Sequence, residues 1–506
     1  MLTILVVFDI FNMLFKFKSD VGYCLTSLLY VNFVNLRKSE ENSMSGRRIL
    51  IDDRVKPSTT IFLLAWPVLV EQILSTLVHS VDTAMVGSLG AVATASVSIS
   101  GTPMMLINGI VMSFGMGFTA LIARSVGAQD YERARSLTRQ ALVTVLLLGL
   151  PISVLCFSLS EAIPMWMGAE PDVLVLATGY NKIIAVGRFF MTLTMVLSAI
   201  YRGYGDTKTP MMINTSVNLA NVVGNYLLIY PTHDVNLFGK TFTVWGAGLG
   251  VNGAALSTAG TIMIGSMVIL FMTFMRKAPQ QIHLNESYKL VKHDIQSVMR
   301  ISVPMMFERF VMGGASVIIA STVASLGTIA IASNSLAATV ESFSLMPGFA
   351  FGSACTTLVG QSLGAERPDM VDRYVNTTIK ISVTIMGIAS VIMFIFSPQL
   401  VSLFTPDEQV IKTGGELVKL LALIQVPYII SQIHSGALRG AGETKSLFYI
   451  TLISMWGVRV LGATLFVRIL GWGIHWVVIA MDTDNIVRMV LYWFRYKRDD
   501  WKYLKF

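Results

Sequence analysis

The sequence states one glycine-rich motif twice, as RGYGDTK at residues 202–208 and as RGAGETK at residues 439–445. The same offset of 237 residues relates WPVLVE at 66–71 to VPMMFE at 303–308, and RSVGAQ at 124–129 to QSLGAE at 361–366. Because one offset without a gap relates all these pairs, the chain is built from two copies of one unit. This repeat is the starting point for the fold.

The composition indicates a polytopic membrane protein. Of the 506 residues, 54% are hydrophobic and only 13% are charged, and the mean hydropathy is +0.65. A soluble chain carries about 25% charged residues. The net charge of +8 is better explained by basic loops on one side of a membrane than by nucleic-acid binding. The three cysteines have no metal-ligand spacing, so a metal site is not expected.

Apolar stretches long enough to cross a bilayer recur along the chain. They predict six spans in each unit, near 59–83, 94–122, 138–160, 176–200, 211–230 and 247–275, and near 297–322, 331–359, 376–397, 412–436, 447–467 and 472–494. An even number of spans returns the chain to the same side, so both units have the same orientation. The expected fold is an all-α polytopic membrane protein with twelve transmembrane helices in two parallel six-helix bundles, related by an axis along the membrane normal.

Basic residues orient the predicted helices. The connections that follow even-numbered spans are rich in Arg and Lys, and the positive-inside rule therefore places them, and both ends of the core, in the cytoplasm. The segment MSGRRILIDDRV from Met44 has the form of a natural cytoplasmic start, so residues 1–43 are interpreted as an extension whose translation is in question. The expected domains are this extension, an N-terminal bundle at 44–280 and a C-terminal bundle at 281–506.

These features resemble the multidrug and toxic compound extrusion (MATE) family. The resemblance rests on VDTAMVGSLG at the end of span one, on RGYGDTK and RGAGETK after spans four and ten, and on the two six-span units. It implies a V-shaped pair of bundles and an antiporter, not an enzyme, that exports organic cations, drugs and toxic compounds across the cytoplasmic membrane. Na⁺ or H⁺ would drive it, and no other cofactor is implied.

Two positions depart from the family pattern. Many members carry a glutamate in span seven, eight residues after its proline, where this chain has Met312. Members with a site in the N-terminal bundle often have NxxNxxLD in span five, whereas this chain has NLANVVGN and Asn225 in place of the aspartate.

The expected partners are small cationic or amphipathic molecules and membrane lipids, with no nucleic acid, and the protein is expected to be a monomer.

Asp82 is the leading candidate for the cation-coupling residue. A carboxylate at membrane depth costs roughly 2.5–3.5 kcal/mol even on the lenient insertion scale, so such residues usually have a function. Its repeat partner is Ile319, whereas Glu71 recurs as Glu308, which favours a structural role for the two glutamates. The alternative for Asp82 is a buried, hydrogen-bonded structural acid.

Polar stripes on spans one and five extend this candidate site. Helical spacing places the members of each stripe on one face of its helix. If the stripes face each other, the carboxylate is ringed by amide and hydroxyl oxygens, which suit Na⁺; burial would equally favour a protonated carboxyl. Hydrogen bonding between helices is the alternative for the amides. The predicted cavity residues are Glu71, Ser75, His79, Asn214, Asn218, Asn221 and Asn225.

The C-terminal bundle offers further candidates. Asp484 and Arg488 are four residues apart and are expected to pair on their helix, whereas Asp482 has no such partner in the sequence. Possible substrate contacts in this bundle are Glu308, Gln425, Gln432 and Asp482.

A flippase for lipid-linked saccharides is the alternative function. It is disfavoured because the sequence predicts few basic groups at membrane depth. An intramembrane enzyme is disfavoured because no paired catalytic constellation appears.

Overall fold

The computed structural model describes residues 51, 54–237, 240–276 and 278–504. The predictions for residues 1–43 and for a start at Met44 lie outside these ranges. The N-half begins with α1 (Pro57–Gly87), α2 (Ala91–Gly127), α3 (Tyr131–Ser158) and the short α4 (Ala162–Trp166). It continues with α5 (Pro171–Gly203), α6 (Lys208–Ile229), strands β1 (Pro231–Leu237) and β2 (Lys240–Ala247), and α7 (Gly250–Met275).

The C-half follows the same order from residue 292 without the strands. It contains α8 (Lys292–Ala324), α9 (Thr328–Gly364), α10 (Pro368–Ile395), α11 (Ser397–Ser402), α12 (Glu408–Leu423) and α13 (Gln425–Gly440). After α14 (Thr444–Ser454), two π-helical segments, Met455–Val460 and Leu465–Ile469, flank α15 (Leu461–Thr464). The last long helix is α16 (His475–Lys497), and a 3₁₀ turn covers Asp500–Tyr503. Sequence periodicity predicted neither the π segments nor the antiparallel β1–β2 hairpin.

The count of twelve spans stays a prediction. Among the described residues, nine helices are long and apolar enough to cross a membrane, or ten if α12 and α13, which meet at a 49° bend, form one span. Helices α6 and α16 are not among them because the asparagine stripe and the charged residues lower their hydropathy. The chain is a multi-pass membrane protein, and these two helices pack within the halves like the others.

The repeat extends to backbone conformation and packing. Residues with positive φ recur at the 237-residue offset in the turns between corresponding helices. These pairs are Gly90 and Gly327, Gln129 and Glu366, and Gly205 and Gly442. Glycine adopts this conformation without steric cost, so tight turns occur at the same places in both units. Corresponding helices also pack against corresponding neighbours. Helix α2 contacts α5 as α9 contacts α13, and α1 contacts α6 as α8 contacts α14.

The two halves meet most closely where α2 and α9 end. A Cβ atom added to Gly127 would lie 2.0 Å from the Gln361 carbonyl oxygen, and one added to Gly364 would lie 1.9 Å from the Arg124 carbonyl oxygen. These are equivalent contacts under the repeat. We call this end, which carries both RGxG motifs, the basic face. In addition, Gln361 donates to the Gly203 carbonyl at 3.1 Å.

Apolar packing between the halves is concentrated near the basic face. One buried cluster joins the first half of α1 to the second half of α9, and another joins α2 to Val298, Ile301 and Met305 of α8. Towards the opposite face, the buried clusters stay within one half. This distribution indicates that the halves are closed together at the basic face and diverge towards the other.

Gly364→Ala should weaken this closure. The added Cβ overlaps backbone, which cannot move independently, so we expect a loss of about 1–3 kcal/mol from overpacking. Gly387→Ala is the matched control, because nothing lies within 4 Å of its added Cβ. The melting temperatures of the purified variants check the prediction. Gly364→Ala should melt at a lower temperature than the wild type, and Gly387→Ala should not. Equal melting temperatures for both variants would contradict the proposed contact.

Candidate substrate and cation site

A cavity of about 400 Å³ lies between the two halves. Its walls come from α1, α2, α5, α6 and α7 on one side and from α8, α9 and α13 on the other. Several predicted site residues line it: Glu71, Ser75, Asn214, Asn218 and Gln432. Methionines also line it, at positions 112, 116, 191 and 195. The cavity therefore combines polar groups with flexible apolar side chains, which can adapt to ligands of different shapes.

Glu71 and Glu308 are held by equivalent ion pairs. Arg202 donates to Glu71 at 3.0 Å, and Asn214 donates to the same oxygen at 2.7 Å. In the C-half, Arg439 donates to Glu308 at 3.2 Å, and Thr451, at the repeat position of Asn214, donates at 3.3 Å. Each glutamate therefore joins three helices of its half through the arginine of an RGxG motif.

Asp82 lies in the N-half, away from the residues that line the central cavity. The Asn225 amide donates to its Oδ1 at 2.7 Å. The Asn221 amide also lies beside the Asp82 carboxylate. In the amide orientation that satisfies both Asn221 atoms, the Asn221 Nδ2 atom donates to the two Asp82 oxygens at 3.2 and 2.9 Å. Among the described residues, no basic side chain forms a salt bridge with Asp82. Its charge is therefore stabilised by amide dipoles and not by a salt bridge.

The predicted stripes do face each other, since α1 packs on α6 and hydrogen bonds join them at both ends. Their members nevertheless divide between two places. Asn214 and Asn218 reach the central cavity, whereas Asn221 and Asn225 turn towards Asp82. His79 is exposed and does not line that cavity, although it is near enough to act electrostatically on Asp82.

Asn225, which binds Asp82 through its amide nitrogen, has a buried amide oxygen, Oδ1, that is unsatisfied. The residue is 1% exposed, and this oxygen has no hydrogen-bond partner among the described residues. Its amide nitrogen is the donor to Asp82. A buried oxygen without a donor costs free energy unless a cation, a proton donor or a water completes it. At position 225 this chain therefore has an amide oxygen where the family pattern has a second carboxylate.

A charged cluster occupies the C-half. The expected pairing of Asp484 with Arg488 is confirmed at 2.7 Å, and Arg459, in the first π-helical segment, also contacts Asp484 at 2.7 Å. Asp482 is 9% exposed, and its buried Oδ1 has no partner among the described residues. Glu341 and Arg459 act electrostatically on it. Glu341 and Arg459 were not among the predicted site residues, although an ionisable residue in an apolar span is a signal for such a site.

Gln425 and Gln432 differ in their surroundings. Gln425 is fully buried, accepts from Ser344 at 3.0 Å and donates to the Leu421 carbonyl at 3.1 Å. It does not line the central cavity. Gln432 lines the cavity and donates to the Tyr428 hydroxyl at 2.8 Å. The geometry therefore supports a substrate contact for Gln432 and helix–helix hydrogen bonding for Gln425.

The charge count of the C-half cluster leads to a stability prediction. Three carboxylates, on Glu341, Asp482 and Asp484, accompany two guanidinium groups, on Arg459 and Arg488. Asp484→Asn removes the partner of both arginines, and we expect it to cost about 3–5 kcal/mol. Asp482→Asn removes the excess negative charge and should leave the melting temperature unchanged or raise it. Equal destabilisation of both purified variants would refute this account of the cluster.

Comparisons with known proteins agree with this architecture. The MatE family model matches the chain twice, at residues 67–227 and 304–465, in corresponding parts of the two halves. The "Probable multidrug resistance protein NorM" of Thermotoga maritima is 28% identical over 429 residues, which cover 85% of this chain and 89% of that protein. The "Multidrug resistance protein MdtK" of Proteus mirabilis is 25% identical over 407 residues, which cover 79% and 86%.

Two solved structures show the same fold. A transporter of the MOP superfamily from Pyrococcus furiosus has a TM-score of 0.81 at 23% identity, with 90% of this chain and 98% of that chain covered. A multidrug resistance MATE family transporter in an outward-facing conformation has a TM-score of 0.82 at 22% identity, with the same coverage.

Proposed function

Because this chain belongs to the MatE family, we propose that it is a cation-coupled antiporter that exports drugs and other toxic compounds in exchange for Na⁺ or H⁺. The observation that carries the coupling is the state of Asp82: a carboxylate in the N-half that is bonded by amides and forms no salt bridge with a described residue. An entering cation would supply the missing positive charge. The names of the multidrug resistance relatives support drug export.

Either coupling ion fits this chemistry. Na⁺ is a hard cation that prefers oxygen ligands, and the Asp82 carboxylate supplies them. The Asn225 Oδ1 atom adds another once its amide turns from donating to Asp82. A proton would instead bind the carboxylate directly, since poor solvation disfavours its charged form. In both cases, one ligand state must favour the conformation closed at the basic face and the other must favour its opening, because only differential binding can shift the equilibrium.

The closed basic face gives the proposed cycle a direction. Under the positive-inside rule the RGxG turns are cytoplasmic, as are both ends of the core, and the protein lies in the cytoplasmic membrane. The contacts at Gly127 and Gly364 then represent a state closed to the cytoplasm. Export requires this contact to open so that small molecules enter from the cytoplasm.

One chain contains both halves of the cavity, which supports a monomer surrounded by lipid.

A lipid flippase is the second candidate, and one observation favours it. The sequence predicts few basic groups at membrane depth, but Arg202, Arg309 and Arg439 all line the cavity. A flippase of lipid-linked saccharides would need such groups for a pyrophosphate. The cavity of about 400 Å³ is in the range of pockets for small ligands, which supports the drug exporter as the first candidate.

The proposal is tested by dye efflux from drug-sensitive cells, with an imposed Na⁺ gradient and then a proton gradient. We expect the wild type to export under one gradient, and Asp82→Asn to lose at least tenfold in rate at equal membrane levels, because the amide cannot bind the cation as a carboxylate does. Glu161→Gln, at an exposed loop acid outside the site, is the control and should export normally. Full activity of Asp82→Asn would remove the coupling role from this residue.

A further inference from the structure

The charges that line the central cavity do not cancel. Four charged side chains line it: Glu71, Arg202, Arg309 and Arg439. Arg202 is paired with Glu71, and Arg439 is paired with the buried Glu308 behind the cavity wall. Arg309 forms no salt bridge with a described residue. The cavity with its paired acids therefore has one positive charge in excess.

Among the described residues, the hydrogen-bond acceptor that Arg309 reaches is a weak one. Its guanidinium group approaches the Met112 sulfur at 4.0 Å, and a thioether is a poor hydrogen-bond acceptor. The carboxylate of the neighbouring Glu308 forms no salt bridge with Arg309. It accepts hydrogen bonds from Arg439 and Thr451 instead. A guanidinium group has five N–H donors in a planar fork that matches carboxylate, sulfonate or phosphate oxygens. In this cavity, most of those donors are available to a ligand.

The position of Arg309 is supported by its surroundings. A Cβ atom added to Gly109 of α2 would lie 3.3 Å from Cβ and 3.4 Å from Cγ of Arg309. The absence of a side chain at Gly109 thus makes room for the aliphatic stem of the arginine. The repeat partner of Arg309 is Gln72, which also lines the cavity. The excess charge is therefore specific to the C-half wall and is not a requirement of the repeated fold.

An unpaired arginine at membrane depth needs compensation. Even the lenient insertion scale assigns such a charge roughly 2.5–3.5 kcal/mol, and water in a cavity or an anionic partner reduces this cost. The remaining cavity wall contains methionines and Phe349, which favour an apolar ligand body. A ligand that matches both features has an apolar aromatic or aliphatic body and one acidic group.

We propose that the central cavity binds amphipathic organic anions, whose carboxylate, sulfonate or phosphate group pairs with the Arg309 guanidinium. This inference rests on the proposed antiport function and replaces the organic cations that the family resemblance implied as the preferred substrates. It also separates the two ligands: the anion binds between the halves, and the coupling cation binds at Asp82 in the N-half. Their exchange is then coupled through the conformation of the halves.

Two dyes that share the xanthene ring system test the charge preference. Fluorescein is an anion at neutral pH and pyronin Y is a cation. Binding to the purified protein is measured by fluorescence polarisation, and export is measured in proteoliposomes. We expect the wild type to bind fluorescein at least tenfold more tightly than pyronin Y. Arg309→Gln should lose at least tenfold in fluorescein affinity, and Arg309→Glu should prefer pyronin Y.

Two further variants separate charge from folding. Lys412→Gln removes one positive charge from an exposed position outside the cavity and should leave both affinities unchanged. Arg309→Lys keeps the charge but loses the planar fork, so it should bind fluorescein more weakly than the wild type and still prefer it to pyronin Y. Melting temperatures of all variants identify any loss of folding, and the Lys variant then provides the test if the Gln variant is unfolded.

The outcomes distinguish this inference from the proposed function. If the wild type prefers pyronin Y, or if Arg309→Gln binds fluorescein as the wild type does, the anion site is wrong. If binding depends on Arg309 but neither a Na⁺ nor a proton gradient drives export, the anion site stands and the antiport function fails. Competition by phosphatidylglycerol, without fluorescein export, would support the anion site and identify a lipid as the source of the acidic group.

Discussion

Charge compensation at membrane depth organises the interior of this protein. Each half uses the arginine of its RGxG motif to neutralise a glutamate on its first long helix, in the pairs Glu71–Arg202 and Glu308–Arg439. Asp484 is compensated by two arginines. Asp82, Asp482 and Arg309 form no salt bridge with a described residue, and since uncompensated charges in this environment are costly, these groups are candidates for a functional role.

The ion pairs and the closure at the basic face involve the same segments. Arg202 binds Glu71 inside the N-half, while the carbonyl of the next residue, Gly203, accepts from Gln361 of the C-half. The glycines at the ends of α2 and α9 allow the closest approach between the halves. A change in the closure would therefore act on the helix ends that hold the glutamates, which offers a physical link between the cavity and the basic face.

The separation of Asp82 from Arg309 bears on the transport mechanism. They belong to different halves, and only Arg309 lines the central cavity. A cation at Asp82 can influence a ligand at Arg309 through the relative position of the halves, provided that each ligand binds the two conformations with different affinity. The cluster around Asp482 and Glu341 provides ionisable groups in the C-half as well, although the repeat does not relate it to Asp82.

The sequence by itself determined the repeat, the helix order and the residues that share a helix face, because these depend on spacing along one chain. The constant offset anticipated the equivalent roles of Glu71 and Glu308, and it singled out Asp82 by the absence of an acidic partner. Only the tertiary structure decided which groups meet across helices. Glu308 and Arg309 are adjacent, yet one binds Arg439 and the other faces the cavity; Glu341 and Arg459 act on Asp482 from separate helices. Such encounters depend on how distant segments pack, which helical periodicity does not encode.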